Sequence, residues 1–235
     1  MQYPARLEQV LGTDKPPIAI GFFDAPPAGV ARWQGAPVPA GCAFWQKAMS
    51  GQVFYTVQAD HYNCAIGCYT HKIDLPPERA PELSATIGFM VEHNYVAMAE
   101  VPGIPTLTKT PGVVAYGPLD KVSFKADIVL VALKPAQAML LYEAALKAGA
   151  GAALTHSLGR PACAVLPLTT SSGQTSISLG CKGNRTFTGL PDEHLYVAIP
   201  GDKWAAVLDR LAETDDANAA MASYYTEKKK QFASA

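Results

Sequence analysis

The sequence has few charged residues and no long run of any one kind of residue. Charged residues make up 17% of the chain, and the formal net charge is −1. The basic residues cluster at Lys228 to Lys230, which is too short a run to form the positive surface that nucleic-acid-binding proteins present. Nucleic acid is therefore excluded as an expected partner, and a small molecule or a redox protein is expected instead. Homo-oligomerisation is left open.

Long apolar segments are also missing. The longest run, residues 128–133, is far shorter than the roughly 20 residues that a helix needs to cross a bilayer. The first residues, MQYPARLEQVLG, lack the apolar centre of a secretion signal. We therefore expect a cytoplasmic protein without membrane contact.

The cysteines do not form a disulfide pattern. There are 5 of them, an odd number, in a chain with no export signal. There is no C-x2-C pair of the kind that zinc ribbons carry. Buried, inert thiols would explain some of the cysteines. Their position beside glycine, proline and histidine in turn-like segments favours a role as ligands or nucleophiles.

Two pairs of similar segments indicate an internal duplication. Cys42 and Cys163 each begin a Cys-Ala dipeptide, and each lies upstream of a second cysteine, Cys64 in HYNCAIGCYTH or Cys181 in SLGCKGNRTFTGLP. In both copies the order is a strand, a cysteine, a glycine-bounded turn, a strand and a cysteine. The repeats are predicted at about residues 14–120 and 121–201, with terminal helices outside them.

The hydrophobic pattern alternates between strand-like and helix-like segments. Strands are predicted at residues 18–23, 53–57, 113–119, 126–133, 174–179 and 193–199. Helices are predicted at residues 5–12, 42–50, 86–98, 135–148, 202–212 and 216–232, with a further helix beginning at residues 76–77. This order predicts an α/β or α+β fold in which sheet and helix layers have pseudo-twofold symmetry, as one compact domain over residues 1–235.

Five segments together carry a resemblance to a known family. They are PAGCAFW, HYNCAIG, IPTLTKTPGVVAYGPLD, RPACAVLP and SLGCKGNRTFTGLPDE. As a set they resemble the DUF169 family, a group of uncharacterised bacterial and archaeal proteins, over roughly residues 5–225. The resemblance implies a shared fold and no established activity. Four cysteines lie at the matching motif positions, Cys42, Cys64, Cys163 and Cys181, whereas Cys68 is an addition of this sequence.

Four thiolates would suit a [4Fe–4S] cluster or a tetrahedral zinc ion, since both accept four sulfur ligands. The iron–sulfur cluster is favoured, because the four cysteines belong to separate turns and a domain of this size does not need zinc in order to fold. If the repeats are related by a twofold, strands 18–23 and 128–133 should be neighbours and the four sulfurs should converge. His61, Cys68 and His71 are candidates for an additional ligand or a base.

Other kinds of site remain open. The repeats could form a cleft for haem or another tetrapyrrole, with cysteine or histidine as the axial ligand. Alternatively, Cys64 could be the nucleophile of a thiol enzyme with His61 as its base. The spacing Cys64-x3-Cys68-x2-His71 also resembles the cluster loop of radical S-adenosylmethionine enzymes, with histidine in the third place. The chain lacks the repeated βα units of their barrel.

Arg185 lies in the glycine-rich segment CKGNRTFTG. Its guanidinium could bind a carboxylate or phosphate, because the neighbouring glycines allow close backbone approach. It could equally pair with a carboxylate of its own segment, Asp192 or Glu193.

Overall fold

A six-stranded antiparallel sheet forms the centre of the computed structural model, which describes residues 7, 10–151 and 161–233. The strands are β1 (Ile18–Phe23), β2 (Phe54–Val57), β3 (Val113–Pro118), β4 (Ile128–Leu133), β5 (Ser176–Ser178) and β6 (Leu195–Pro200). Their order across the sheet is β2-β3-β1-β4-β6-β5, and each neighbouring pair is antiparallel. The predicted neighbourhood of strands 18–23 and 128–133 is confirmed, because β1 pairs with β4.

Seven helices in the described part of the chain surround the sheet. They are α1 (Ala43–Met49), α2 (Ala65–His71), α3 (Pro81–Glu92), α4 (Pro135–Lys147), α5 (Val165–Ser172), α6 (Lys182–Thr188) and α7 (Trp204–Ala233). Short 3-10 turns lie at Gln58–His61, Pro77–Arg79, Met98–Gly103, Ala162–Ala164 and Gly201–Lys203. None of the described helices combines the length and apolar character needed to span a membrane.

Helices cover both faces of the sheet and bury a core on each side. β4 shows this alternation: Val131 points into the core formed with α4 and α7, and Leu130 points into the core formed with α1 and α5. Because both of its faces are covered, β4 is buried along its whole length and reads as a continuous apolar run. The result is a single domain that mixes helices with an antiparallel sheet.

The segments that follow Cys64 and Cys181 were predicted as turns, and this prediction was wrong. Each cysteine is the N-cap of a short helix, α2 or α6. Both helices have 7 residues, which is too short for the 3.6-residue periodicity to be recognised. The glycine taken as part of a turn, Gly189, has φ +63° and ends α6 in the left-handed conformation.

Other helix boundaries also differ from the prediction. The helices predicted at 202–212 and 216–232 are one continuous helix, α7, since no proline or glycine interrupts residues 204–233. The helices predicted from residue 76 and over 86–98 are replaced by the turn Pro77–Arg79 and α3, which has a proline at its first position. Most of the helix predicted at 5–12 lies outside the described residues.

We expect Gly201→Ala to destabilise the protein by about 3 kcal/mol, because a methyl group there would overlap the backbone carbonyl of Ala126. The Gly201 amide donates to the Asp127 oxygen at 2.9 Å, so the two backbones cannot separate without losing this bond. Urea unfolding monitored by circular dichroism measures the change in the free energy of unfolding.

The matched control is Gly88→Ala in α3, where a methyl group meets no atom within 4 Å. The control should gain about 0.5–1 kcal/mol from helix propensity. Equal stability of the two variants would contradict the expected overlap.

Candidate cysteine site

Four of the five cysteines lie at the beginning of four helices, all on the sheet face that α1 and α5 cover. Cys42 precedes α1, and Cys163 lies in the 3-10 turn that leads into α5. Cys64 and Cys181 are the N-caps of α2 and α6. Cys42 belongs to the buried core of this face, and Cys64 and Cys163 pack against that core.

Contacts between the two halves of the chain bring these helices together. The first half comprises β1 to β3 with α1 and α2, and the second comprises β4 to β6 with α5 and α6. Thr70 of α2 donates its hydroxyl to the Cys163 Sγ at 3.3 Å, so the Cys64 helix contacts the first cysteine of the second half. In the opposite direction, Asn184 of α6 lies beside the thiol of Cys42. The four cysteines named from the sequence are therefore in one neighbourhood.

The electrostatics show that the four thiols are neighbours. Burial raises the pKa of Cys42 to about 12 and raises the pKa values of Cys64 and Cys163 as well. Repulsion within the group contributes to each of these pKa shifts, and Cys181 is among the repelling thiols in all three cases. No lysine, arginine or histidine among the described residues lowers the pKa of any of the three. The site therefore places four soft ligands together without a protein cation to balance them.

The thiols are not arranged around a single ion. Among the described residues, no three side chains of the His, Cys, Asp and Glu types are grouped closely enough to hold a metal ion. Sulfurs that share one zinc ion must lie within roughly 4 Å of each other, since each zinc–sulfur bond is about 2.3 Å. Metal binding by Cys42, Cys64, Cys163 and Cys181 stays a prediction.

Cys68 differs from the other cysteines in its surroundings. Its side chain is buried and its Sγ donates to the carbonyl of His61 at 3.2 Å. Burial raises its pKa to about 12, and Cys64 is the one cysteine whose charge contributes to this shift. Cys68 is therefore placed as a structural thiol of α2, and its predicted role as an additional ligand has no contact to support it.

His61 and His71 form a buried pair beside the site. Their ring centroids are 5.9 Å apart and the rings are stacked. His61 Nε2 lies 2.8 Å from the Thr56 hydroxyl, and burial lowers its pKa to about 3. Burial also lowers the pKa of His71, whose Nε2 has no hydrogen-bond partner in the described part of the chain. Both imidazoles are thus neutral at pH 7, and their roles as ligand or base stay predictions.

Arg185 uses its guanidinium to hold the segment around it. Nη1 donates to the Pro191 oxygen at 2.6 Å, and Nη2 donates to the oxygens of Leu179 and His194 at 2.5 and 2.9 Å. The carboxylate of Asp192 is 3.9 Å away and fully exposed to solvent, so this ion pair adds little. The contacts give Arg185 a structural role, and ligand binding by this residue stays a prediction.

The segment between α2 and β3 contacts both cysteine helices. Tyr69 of α2 donates its hydroxyl to the Val101 oxygen at 3.4 Å, and the Tyr95 hydroxyl accepts from the Lys182 amide at 3.2 Å. Lys182 directly follows Cys181, so the Tyr95 hydroxyl accepts a hydrogen bond from a backbone amide at the beginning of α6. Sequence reasoning missed Thr70, Asn184 and Tyr95, because single polar residues between recognisable motifs give no pattern of their own.

Comparison with known proteins gives a family and no further match. No curated protein and no solved structure matches this chain. The profile of the DUF169 family, described as an uncharacterised ArCR family, matches residues 6–210 and so includes every cysteine of the site. With most of its length matched, the chain belongs to the DUF169 family.

Proposed function

We propose that this protein binds a cysteine-ligated iron–sulfur cluster and exchanges single electrons with a redox partner. The ligands are Cys42, Cys64, Cys163 and Cys181. The observation that carries the proposal is the convergence of four thiols from four separate helix starts, in which Cys42, Cys64 and Cys181 each disfavour ionisation of at least one other thiol and Cys163 is disfavoured by all three. Four neighbouring soft ligands without a balancing protein cation suit a metal–sulfur centre, because thiolate is the ligand form that such centres require.

A single zinc ion suits the four thiols less well than a cluster does. The described side chains provide no group tight enough for one ion. The ligand sulfurs of a [4Fe–4S] cluster stand further apart, at about 6–7 Å by cluster size. A cluster therefore accepts a wider separation of the four sulfurs than one zinc ion does. The buried aromatic side chains of Phe44 and Trp45, from the helix that follows Cys42, belong to the core beneath the site and would limit water access.

The duplication predicted from the sequence is part of this proposal, since it accounts for two cysteines from each half. The strand order is unchanged when the halves are exchanged, because β2, β3 and β1 mirror β5, β6 and β4. The registers agree as well: Ile18 pairs with Pro118 in the first half, and Ile128 pairs with Pro200 in the second. In both halves the sulfur of the second cysteine accepts the amide of the residue three positions later.

A thiol enzyme based on Cys64 and His61 fits the same geometry less well. A catalytic thiol is activated by a lowered pKa and a cationic neighbour. Here burial raises the pKa of Cys64, while burial lowers the pKa of His61 to about 3 and its Nε2 lies beside Thr56. For haem, neither histidine has a described contact that points to an axial ligand, and haem binding stays a prediction.

The proposal is tested by anaerobic purification and reconstitution with iron and sulfide. We expect about four iron atoms and four labile sulfides per chain, together with a broad visible absorption band. Replacing Cys42, Cys64, Cys163 or Cys181 singly by serine should abolish or severely reduce both contents, because each substitution removes one of the four ligands.

The matched control is Cys68→Ser, which changes a cysteine in the same helix as the Cys64 ligand but outside the proposed set. This variant should keep the wild-type iron and sulfide contents. A wild-type protein that holds neither iron nor labile sulfide after reconstitution would contradict the proposal. Binding of one zinc ion per chain would support the four-cysteine metal site and would contradict its occupation by an iron–sulfur cluster.

A further inference from the structure

Each proposed sulfur ligand has a hydrogen-bond donor beside it. Two of the donors are local: the Gly67 amide donates to the Cys64 Sγ at 3.3 Å, and the Asn184 amide donates to the Cys181 Sγ at 3.4 Å. These bonds follow from the N-cap position of the two cysteines. The donors beside Cys42 and Cys163 are side chains and come from the opposite half of the chain.

Thr70 supplies the donor for Cys163. Its hydroxyl oxygen lies 3.3 Å from that sulfur, 2.9 Å from the Gly67 oxygen and 3.1 Å from the His71 Nδ1. A hydroxyl has a single hydrogen to donate, so these neighbours compete for it. The His71 Nδ1 itself lies 2.9 Å from the Gly67 oxygen. Because a carbonyl can only accept, the neutral imidazole carries its hydrogen on Nδ1 and satisfies Gly67. The Thr70 hydrogen is then available to the sulfur.

Asn184 stands in the corresponding place beside Cys42. Its side chain is 1% exposed, and neither its amide nitrogen nor its oxygen has a hydrogen-bond partner among the described residues. It lies against the thiol of Cys42 and the hydroxyl of Tyr196, lowering the pKa of each without completing a hydrogen bond. Buried side-chain amides without hydrogen-bond partners are rare in folded proteins. A thiolate at Cys42 would give this amide the charged acceptor that a thiol does not.

We propose that Thr70 and Asn184 are positioning residues that donate across the two halves to the sulfurs of Cys163 and Cys42 and thereby raise the reduction potential of the bound cluster. This inference rests on the proposed cluster. Reduction adds one electron from an external reductant such as dithionite, with no bond made or broken and no proton taken up at the sulfurs. The reduced centre has one more negative charge spread over its sulfurs. Donors directed at the sulfurs stabilise that charge more than they stabilise the oxidised state.

The test is a dithionite titration of reconstituted protein, followed by visible absorption and electron paramagnetic resonance. Thr70→Val keeps the shape of the side chain and removes the hydroxyl, and Asn184→Leu removes the amide at similar volume. At a fixed solution potential, the ratio of reduced to oxidised cluster should fall about tenfold in either variant, which is a midpoint 59 mV lower for a one-electron couple. Thr70→Ser keeps the hydroxyl and should restore the wild-type ratio.

The matched control is Asn63→Leu, which removes an amide next to Cys64 that donates to the Val38 oxygen at 2.9 Å and to no sulfur. It should leave the ratio within about twofold of wild type. Iron and sulfide are counted first, so that a wild-type protein without a cluster overturns both proposals together.

Fully loaded Thr70→Val and Asn184→Leu with wild-type midpoints would overturn the donor inference and leave the cluster intact. Loss of the cluster in Thr70→Val but not in Thr70→Ser would support the inference, because it would show that the hydroxyl holds the sulfur. Equal loss in Thr70→Val and Thr70→Ser would overturn it, because general packing would then explain the effect. If Asn184→Leu did not fold, the two Thr70 variants would decide.

Discussion

Lowering the pH from 6.5 to 5 should reduce the free energy of unfolding by about 2 kcal/mol through His61 alone, with His71 adding to the loss, because both histidines are buried and resist protonation in the folded protein. Burial lowers the pKa of His61 to about 3 and lowers the pKa of His71. In the unfolded chain both groups titrate near about 6.5. Below that pH the unfolded state binds protons that the folded state does not, so stability falls as the pH falls. His61 contributes up to about 1.4 kcal/mol per pH unit, and His71 contributes in the same direction.

The surroundings of the two rings explain why they resist protonation. The centroid of the Phe44 ring is 5.3 Å from that of His61, and the centroid of the Phe22 ring is 6.0 Å from that of His71. A charged imidazole would lose its hydration between these aromatic rings. Protonation of one ring would also disfavour protonation of the other, since the charge on His71 lowers the pKa of His61.

Urea unfolding at half-unit steps between pH 7 and pH 5 measures this dependence above the range in which most carboxylates titrate. His61→Gln should lower the slope by up to about 1.4 kcal/mol per pH unit, and His71→Gln should lower it as well, whatever their effect on stability at pH 7. The control is His93→Gln, which changes an exposed histidine whose Nδ1 lies 2.9 Å from the Phe89 oxygen. A wild-type slope in both buried-site variants would contradict the assignment.

The strands could be predicted from the sequence because their signals are local. β1, β3 and β4 are short apolar runs bounded by proline or aspartate, and the predicted boundaries agree with the observed ones within two residues. The pairing of β1 with β4 followed from the repeated motifs rather than from the strands themselves. Strand pairing otherwise depends on contacts between residues far apart in the chain, which periodicity does not report.

The helices at the site were harder to predict because their caps are unusual. Cysteine is not among the residues that favour the N-cap, so neither Cys64 nor Cys181 indicated the beginning of a helix. The ends of the helices carried the usable signal. Gly189 and Lys72 both adopt left-handed conformations, at φ +63° and +53°. A glycine in the sequence indicates such a helix end, whereas a lysine does not.

Thr70 and Asn184 could not be identified from the sequence because their importance depends on packing between the halves. Thr70 reaches a sulfur 93 positions away in the chain, and Asn184 lies beside one in the other half. The four cysteines that the sequence named lie in one neighbourhood, and their role as ligands stays a prediction. The positions of the cysteines in the sequence do not distinguish Cys68 from these four. The family resemblance made that distinction, because Cys68 does not match a motif position.

Raising the pH from 8.5 to 10 should reduce the free energy of unfolding of the metal-free, reduced protein by about 3 kcal/mol through Cys42 and Cys68 alone. Burial raises the pKa of each of these thiols to about 12. Unfolded thiols lose their protons near about 8.5. Between these values the folded state keeps protons that the unfolded state has lost, so stability falls as the pH rises. Cys64 and Cys163 add to the effect in the same direction, since burial raises their pKa values too.

Anaerobic urea unfolding between pH 8 and pH 10 measures the alkaline loss. Cys42→Ala and Cys68→Ala should each lower the slope by about 1.4 kcal/mol per pH unit. Wild-type slopes in both variants would contradict the burial effect. Loading the cluster then separates the two thiols. As a ligand, Cys42 holds no proton in the folded state, so its share of the slope should disappear, whereas Cys68 should keep its share. An unchanged Cys42 contribution in iron-loaded protein would show that this thiol is not a ligand.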